Sequence, residues 1–265
     1  MKSVWAAAVF AAALLGSACA THVVPVPSGP GAPFPGFDAA YEQATGDCRA
    51  VSTLTAALAL SGRAGRTKLR GRIDAGFAAP ASLRLEGVAP FGKPVFTLVS
   101  KGGDATLVLP RDNRVLRGAA PEAIVEALAG VPLTPARLRL VIAGCGLDLS
   151  APSNPRAYQN GWAAAETGDA TVFLRQLEGR WRVAASRRGS VAIDYADFES
   201  GRASTVRIRT APPGGAAAAD LKLRVSQLEL NVPLDKAAFD VEVPRDAVPL
   251  TLDELRRAGP LGGGE

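Results

Sequence analysis

The sequence predicts a mainly antiparallel β protein in which a few helices cover the apolar face of one large sheet. Apolar and charged residues alternate with a period of two through much of the chain, and turns rich in glycine, asparagine and proline separate the alternating segments. Only three segments show helical spacing. Because nothing else in the chain can cover the apolar face, we expect a curled sheet that encloses an apolar hollow beneath these helices.

The first predicted element is a helix that begins at Asp38 and ends near Ser61. Asp38 is a suitable N-cap, and Gly62 is a suitable stop. The residues between them include one apolar stripe at helical spacing: Tyr41, Ala44, Cys48, Val51, Leu54 and Leu58. This helix therefore has one face to bury.

Strands are predicted from Thr67 onward. Charged and apolar residues alternate over residues 68–77 and again over 83–86. Residues 95–99 and 106–109 are more uniformly apolar, as in strands that are covered on both faces. Turn sequences join these segments, so we expect an antiparallel meander.

Two short helices interrupt the strands. The first begins at Pro121, a favoured first helical residue, and ends at Gly130; the second begins at Thr134-Pro135 and ends at Gly144. Six more strands are predicted after them, at residues 161–166, 171–177, 180–185, 191–195, 205–210 and 221–230.

Arginine and lysine occupy the polar phase of these later strands, so the sheet is expected to have one basic face and one apolar face. The chain after Pro233 reads as an irregular tail. We predict that this C-terminal extension, residues 235–265, is partly disordered.

The amino terminus has the pattern of an exported protein. A positive start, an apolar run and a small-residue zone form a predicted signal peptide over residues 1–18. Cys19 follows directly, as in lipoproteins whose cysteine thiol receives a diacylglyceryl group, although Gly16 stands where such signals usually have leucine. The alternative is simple secretion, because Ala18-Cys19-Ala20 also fits cleavage after Ala20, which would discard the cysteine.

Lipidation of Cys19 would make residues 19–36 a membrane tether. The prolines in this stretch favour a semi-stiff spacer without regular structure. Ala20 at the second mature position, in place of aspartate, favours the outer membrane over the inner one. The predicted location is therefore the outer membrane, with a lipid anchor and the domain facing the periplasm.

Composition narrows the function further. Thirty Lys and Arg against twenty-five acidic residues give a pI near 9.4. In an exported protein this favours anionic lipid or polysaccharide surfaces over nucleic acid, with an ordinary solvated basic surface as the alternative. The only histidine, His22, lies in the tether. Histidine-dependent catalytic arrangements and zinc sites are therefore not expected on the domain, and the sequence predicts no enzyme, metal or cofactor.

Cys48 and Cys145 are the cysteines that would remain besides a lipidated Cys19. In an oxidising compartment they are candidates for a disulfide, which would contribute about 4 kcal/mol in the chain-entropy model. Two buried free thiols are the alternative.

Several short motifs follow one another in a specific order between residues 82 and 145. A strand ends in the Pro-Phe-Gly sequence of residues 90–92, two strands follow, and the Gly-Val-Pro sequence of residues 130–132 leads into the second short helix. This order resembles the outer-membrane lipoprotein receptors of the LolB family, in which a Pro-hydrophobe-Gly loop and a Gly-hydrophobe-Pro turn occupy these places. Strands at residues 179–183 and 223–230 also fall where that family has them.

The resemblance implies an open, incomplete β-barrel with a helical lid over residues 37–234, the LolA/LolB-like fold. It also implies a monomer whose apolar lumen binds acyl chains and which takes part in lipoprotein or lipid transfer to the outer membrane. A periplasmic carrier of the LolA type would be its partner. A structural or assembly lipoprotein with a packed interior and no ligand is the rival hypothesis.

The candidate site residues follow from the resemblance and from the apolar phase of the strands. Phe91, between Pro90 and Gly92, matches the exposed hydrophobic residue of the family's protruding loop and would insert into a membrane; its alternative is to pack back onto the sheet. The residues predicted to line the acyl pocket, each of which could instead pack under the helices, are Leu69, Ile73, Leu83, Leu85, Phe96, Leu98 and Leu107.

Overall fold

The computed structural model describes residues 25–88, 94–211 and 219–258. Most of these residues belong to strands of one sheet. In chain order the strands are β1 (Ala32–Pro33), β2 (Thr53–Ala64), β3 (Thr67–Ala78), β4 (Ser82–Val88), β5 (Phe96–Lys101), β6 (Asp104–Leu109), β7 (Arg114–Ala119), β8 (Pro152–Tyr158), β9 (Trp162–Thr167), β10 (Ala170–Leu177), β11 (Arg180–Arg188), β12 (Val191–Glu199), β13 (Arg202–Thr210), β14 (Ala219–Leu230) and β15 (Val248–Pro249).

Two antiparallel meanders make up the sheet, one from β2 to β7 and one from β8 to β14. They join along β14 and β2, where Leu223 lies opposite Leu60. The short strands β1 and β15 form the two edges, and β15 pairs with β7 in parallel. Among the described residues the two edges do not pair with each other, so the sheet stays open. The predicted open, mainly antiparallel fold is therefore confirmed.

Four α-helices within the described ranges accompany the sheet. The two short central helices agree with the sequence prediction: proline begins each one, Gly130 ends the first with a φ of 70°, and the Thr134 hydroxyl caps the second by accepting a hydrogen bond from the Arg137 N–H. The α-helices are α1 (Phe37–Arg49), α2 (Pro121–Ala129), α3 (Pro135–Ile142) and α4 (Leu252–Ala258).

The first helix is shorter than predicted. Helix α1 ends at Arg49, and the residues expected to continue it to Ser61 form β2. Leucines at alternate positions of β2 face inward, with Leu54 and Leu58 buried and Leu60 half-buried. A spacing of four residues fits both a helix turn and two strand repeats, so pairing with β3 and β14 decides the conformation.

The described part of the C-terminal extension, residues 235–258, contains a 3₁₀ helix, β15 and α4, so the prediction of an irregular tail is wrong for these residues. Phe239, in a 3₁₀ helix over Lys236–Phe239, is 5% exposed and packs beside β4 and β5. Farther on, Leu250 and Leu255 are buried, and α4 packs against α2. Apolar residues in a polar segment thus attach the extension to the domain.

The end of the predicted tether is also part of the domain. Ala32 and Pro33 form a ladder with β8, at a sheet edge where proline is tolerated. The Phe34 ring lies 5.7 Å from that of Trp181 and 6.2 Å from that of Phe37. The expectation that residues up to 36 form a free spacer is therefore wrong for its last residues.

A disulfide joins Cys48, near the end of α1, to Cys145, just after α3, with 5.9 Å between their Cα atoms. Both residues are buried in the hydrophobic core. The structure therefore has the bonded cysteine pair and not the two free thiols. The bond fixes α1 to the carboxyl end of α3 across 97 residues of sequence.

Candidate functional site

An apolar cavity lies between the concave face of the sheet and the helices α2 and α3. Its volume is about 90 Å³, and hydrocarbon side chains alone line it. Strands on both sides of the β14–β2 junction contribute to it. The lining residues are Leu58, Leu60, Leu69, Ile73, Phe77, Leu85, Phe96, Val125, Leu128, Ala129, Val131, Leu138, Ile142, Ile208, Leu221 and Leu223.

The half-buried members of this lining mark where the cavity opens. Leu60, Ile73, Leu85 and Ala129 are partly exposed, whereas the other lining residues are buried. Gly71 shares the inward phase of β3 with Ile73, and a Cβ atom placed there would meet no atom within 4 Å. The opening is therefore between strands β2 to β4 and the carboxyl end of α2.

A second glycine shapes the wall of the cavity. Gly87 on β4 lies opposite Phe96 on β5, and a Cβ atom at Gly87 would come within 2.6 Å of the Phe96 ring. Only glycine leaves room for the ring to lie flat against this strand. The Phe96 ring thus helps to close one side of the cavity.

The cavity is small for a ligand site. Ligand pockets usually have volumes of about 300–1,000 Å³, and an apolar cavity of about 150 Å³ holds one benzene molecule. At about 90 Å³ this cavity does not enclose an alkyl chain. The structure therefore shows helices closed over a largely packed interior, and a chain can enter only if a helix or the lining side chains move.

Helix α3 is held in place by polar contacts and by a covalent bond. The Tyr195 hydroxyl donates to the Val141 carbonyl at 3.1 Å and accepts from the Gly146 N–H at 3.1 Å. Burial raises the pKa of Tyr195 far above its usual range, so the hydroxyl stays protonated and able to donate. The Arg139 guanidinium donates to the Val51 carbonyl.

Ion pairs at its first turn add to this attachment. Arg137 of α3 lies 2.8 Å from Asp169 and 4.0 Å from Asp148. Arg188 also binds Asp169 at 2.6 Å, and these arginines hold the pKa of the Asp169 carboxyl below its usual value, Arg188 having the larger effect. The disulfide follows at the other end of the helix, so both ends of α3 are fixed.

Helix α2 is attached differently. Its buried residues, such as Ile124 and Leu128, are apolar. At its carboxyl end the Thr210 hydroxyl donates to the Gly130 carbonyl at 2.9 Å. Helix α4 also packs against α2. Of the two helices over the cavity, α2 is thus the one held mainly by apolar contacts.

The structure divides the residues predicted to line the acyl pocket. Leu69, Ile73, Leu85 and Phe96 line the cavity. Leu83, Leu98 and Leu107 do not line it, because each is 0% exposed within the packed core. The period of two identifies the inward face of a strand, but depth under the helices depends on how the sheet curls.

Sequence reasoning missed the other side of the site. The apolar spacing predicts a helix at Leu58 and Leu60, and it places Ile208, Leu221 and Leu223 on strands without indicating a role, yet all five line the cavity. The alternation of apolar residues in β13 and β14 was the available signal. It could not show that β14 pairs with β2, which brings the end of the chain to the cavity.

Two predicted sites lie outside the described residues. These are the lipidation site at Cys19 and the loop of Pro90, Phe91 and Gly92. The loop is flanked by Val88, one of the more exposed large hydrophobic residues described, at 37% exposure.

The described residues form no cluster of His, Cys, Asp and Glu suited to a metal ion. The most buried carboxylate, Asp194, is 3% exposed on the outer face, where it binds Arg187 and, at 2.6 Å, Arg209. Charge pairing explains this carboxylate as a structural element. None of the helices within the described ranges is both long and apolar enough to cross a membrane.

These features define a class of protein: an open antiparallel sheet whose concave apolar face is covered by helices, with a hydrocarbon-lined cavity beneath them. The LolA-like fold has this architecture. A crystal structure of a LolA superfamily protein from Nitrosomonas europaea matches with a TM-score of 0.51 and 13% identity, over 77% of this chain and 95% of the other. At this identity the likeness shows the fold alone.

Two further structures have lower similarity. A putative outer membrane lipoprotein-sorting protein domain from Vibrio parahaemolyticus gives a TM-score of 0.45 at 11% identity, over 77% of this chain and 97% of the other. The Mycobacterium tuberculosis lipoprotein LppX gives 0.31 at 12% identity, over 77% and 99%. No family model and no curated protein matches the sequence.

Proposed function

We propose that this protein binds an alkyl chain between its sheet and helix α2, and that it takes part in lipid or lipoprotein transfer at the outer membrane. One observation carries the proposal: the cavity is lined by hydrocarbon alone and is left unfilled at its opening, beside Gly71. Binding and release of an alkyl chain require no chemical step, so the proposed function includes no enzymatic activity.

The physical basis is the cost of exposing an alkyl chain to water. Removing sixteen carbons from water is worth about 13 kcal/mol at about 0.8 kcal/mol per methylene. A chain that slides under α2 would gain much of this free energy, and part of it would offset the cost of moving the helix. Helix α2 is the proposed moving part because its buried contacts are apolar, and apolar contacts with a chain can replace them.

Several finer features belong to the same proposal. The protein would be a monomer anchored through Cys19 in the outer membrane, facing the periplasm, and would receive acylated cargo from a carrier of the LolA type. The signal sequence and the order of motifs in the central third of the chain support this, together with the LolA-like fold. The Phe91 loop would then enter the bilayer.

The experiment is the uptake of a fluorescent fatty acid by the chain from Ala20 onward, which keeps every residue of the hydrophobic core. We expect saturable binding that a long-chain fatty acid displaces. Gly71→Trp should fill the opening and lower the affinity at least tenfold. Gly103→Trp is the matched control, because Gly103 lies in a turn away from the cavity where an added Cβ also meets no atom.

A second candidate function is that of a structural lipoprotein of the envelope. The cavity volume of about 90 Å³ favours it, because a packed interior needs no ligand. Failure of the wild-type protein to take up the probe, with acylated lipoprotein equally unable to bind, would support this candidate and contradict the first.

The transfer role has its own test. Depletion of the protein from the cells that express it, followed by membrane fractionation, should leave lipoproteins or lipids outside their normal membrane. Normal sorting after depletion would contradict a transfer role, and it would leave chain binding to be judged by the probe experiment.

A further inference from the structure

The outer face of the β2–β3 hairpin carries a cluster of cations. Arg63 lies near the end of β2, Arg66 lies in the turn, and Lys68 and Arg70 lie near the start of β3. All four side chains are exposed, and no ion pair among the described residues includes any of them. We call these four residues the basic hairpin tip.

Neighbouring strands extend this positive surface. Lys222 on β14 lies opposite Ser61, which lies opposite Arg70, so the three residues form one row across the sheet. Arg224, also exposed, is in the next row. The nearest carboxylate in register is Asp220, which is bound by Arg207 through two hydrogen bonds of 2.7 and 2.6 Å and is thereby neutralised.

The hairpin tip is next to the opening of the cavity. The same two strands that carry its cations present Leu60, Leu69 and Ile73 inward to the cavity. Arg63 is three positions beyond Leu60, a distance of about 10 Å along a strand. A surface that binds the hairpin tip is therefore within reach of the opening.

We propose that the basic hairpin tip is a docking surface for anionic lipid headgroups at a membrane surface. Four uncompensated cations on one exposed hairpin are complementary to a layer of phosphate groups, and each Lys or Arg beside an anionic bilayer strengthens binding by about fivefold. Docking at the tip places the opening of the cavity against the bilayer.

The test is co-sedimentation of the chain from Ala20 onward with two kinds of vesicle, neutral phosphatidylcholine and phosphatidylcholine containing about one third phosphatidylglycerol. We expect at least tenfold tighter binding to the anionic vesicles, and weaker binding as salt rises from about 50 to 200 mM. Equal binding to both vesicles, or none to either, would overturn the proposal; in the second case an acidic protein would be the remaining class of partner.

Paired variants separate the hairpin tip from net charge. Arg63, Arg66, Lys68 and Arg70, all changed to Gln, should lower the affinity for anionic vesicles at least tenfold. The control removes four other exposed cations, Arg117→Gln, Arg156→Gln, Arg180→Gln and Arg202→Gln, which also form no ion pair with another described residue, and it should change the affinity less than threefold. An equal loss in both variants contradicts a specific surface.

This inference can fail independently of the proposed function. The four residues of the hairpin tip do not line the cavity, so fatty-acid uptake by the quadruple variant should be that of the wild type. The Gly71→Trp protein should conversely keep its binding to anionic vesicles. Unfolding curves of the two quadruple variants in urea should coincide with the wild-type curve, because every side chain changed in them is exposed.

Discussion

At the scale of single residues, burial separates two kinds of inward-facing leucine and isoleucine. Leu83 is 0% exposed in the core, whereas Ile73 lies half-buried at the cavity opening, although both have the apolar phase of neighbouring strands. The first has neighbours on all sides, and the second borders a space. Truncating each to alanine should therefore have different effects on stability and on binding.

We expect Leu83→Ala to lower the free energy of unfolding by about 2–5 kcal/mol, because it leaves a cavity in a packed region. Ile73→Ala should cost less, since part of the side chain already contacts solvent, but it should change the affinity for a fluorescent fatty acid. Urea unfolding and probe titration measure the two quantities. The reverse pattern, with the larger stability loss at Ile73, would contradict the assignment of these residues.

At the scale of elements, the attachment of α4 depends on one carboxylate. The Glu254 side chain accepts hydrogen bonds from the Thr251 N–H at 2.8 Å and the Thr251 hydroxyl at 2.9 Å, and it binds Arg114 of β7 at 3.1 Å. The Glu254 N–H in turn donates to the Thr251 hydroxyl at 3.2 Å, so the two residues form a capping box. These contacts fix α4 beside α2 and the edge of the sheet.

The docking of α4 should consequently weaken in acid. Hydrogen bonds from Thr251, with the contribution of Arg114, lower the pKa of Glu254 from 4.5 to about 2. A carboxyl whose pKa is lower in the folded state stabilises that state above the unfolded pKa, and the contribution is lost as pH falls from about 4.5 to about 2. Hydrogen-exchange protection factors of α4 amides should fall over this range.

The matched controls for this titration are two amide variants in the same helix. Glu254→Gln should lower the protection of α4 at neutral pH and remove most of its pH dependence. Asp253→Asn, one residue away and exposed, should keep the wild-type profile. A profile that is the same in all three proteins would show that Glu254 does not hold the helix.

At the scale of the whole molecule, the disulfide joins the two helical regions that lie on the concave face. Cys48 belongs to α1 and Cys145 follows α3, so reduction frees 97 residues of chain in the unfolded state. Replacing both cysteines with alanine should lower the free energy of unfolding by about 2–5 kcal/mol, measured in urea. A reductant should destabilise the wild-type protein and leave the double variant unaffected.

The same variant tests which helix moves over the cavity. If α2 is the moving part, loss of the disulfide beside α3 should leave the affinity for a fatty-acid probe within about threefold of wild type at temperatures where both proteins are folded. A large change in affinity would mean that α3 also moves when a chain binds.

The sequence was sufficient for many strands of the sheet and for two of the helices, because those signals are local. Alternation in β3, β4 and β10 to β14, proline at the start of α2 and α3, and glycine at the end of α2 each act within a few residues. Local signals failed at β2, because leucines four residues apart fit both the period of a helix and the period of a strand. They also failed at the C-terminal extension, whose few apolar residues become significant only through distant partners.

The amino-acid sequence alone thus determined the alternation that makes one face of each strand apolar, the positions of the turns, and the basic character of the outer face. Only the tertiary structure decided that β14 pairs with β2. It also decided that Leu83, Leu98 and Leu107 lie in the packed core, that Gly71 borders the opening, and that the cavity volume is about 90 Å³. The physical reason is that cavity volume depends on how the curled sheet and its helices pack, and neighbours in space set that packing.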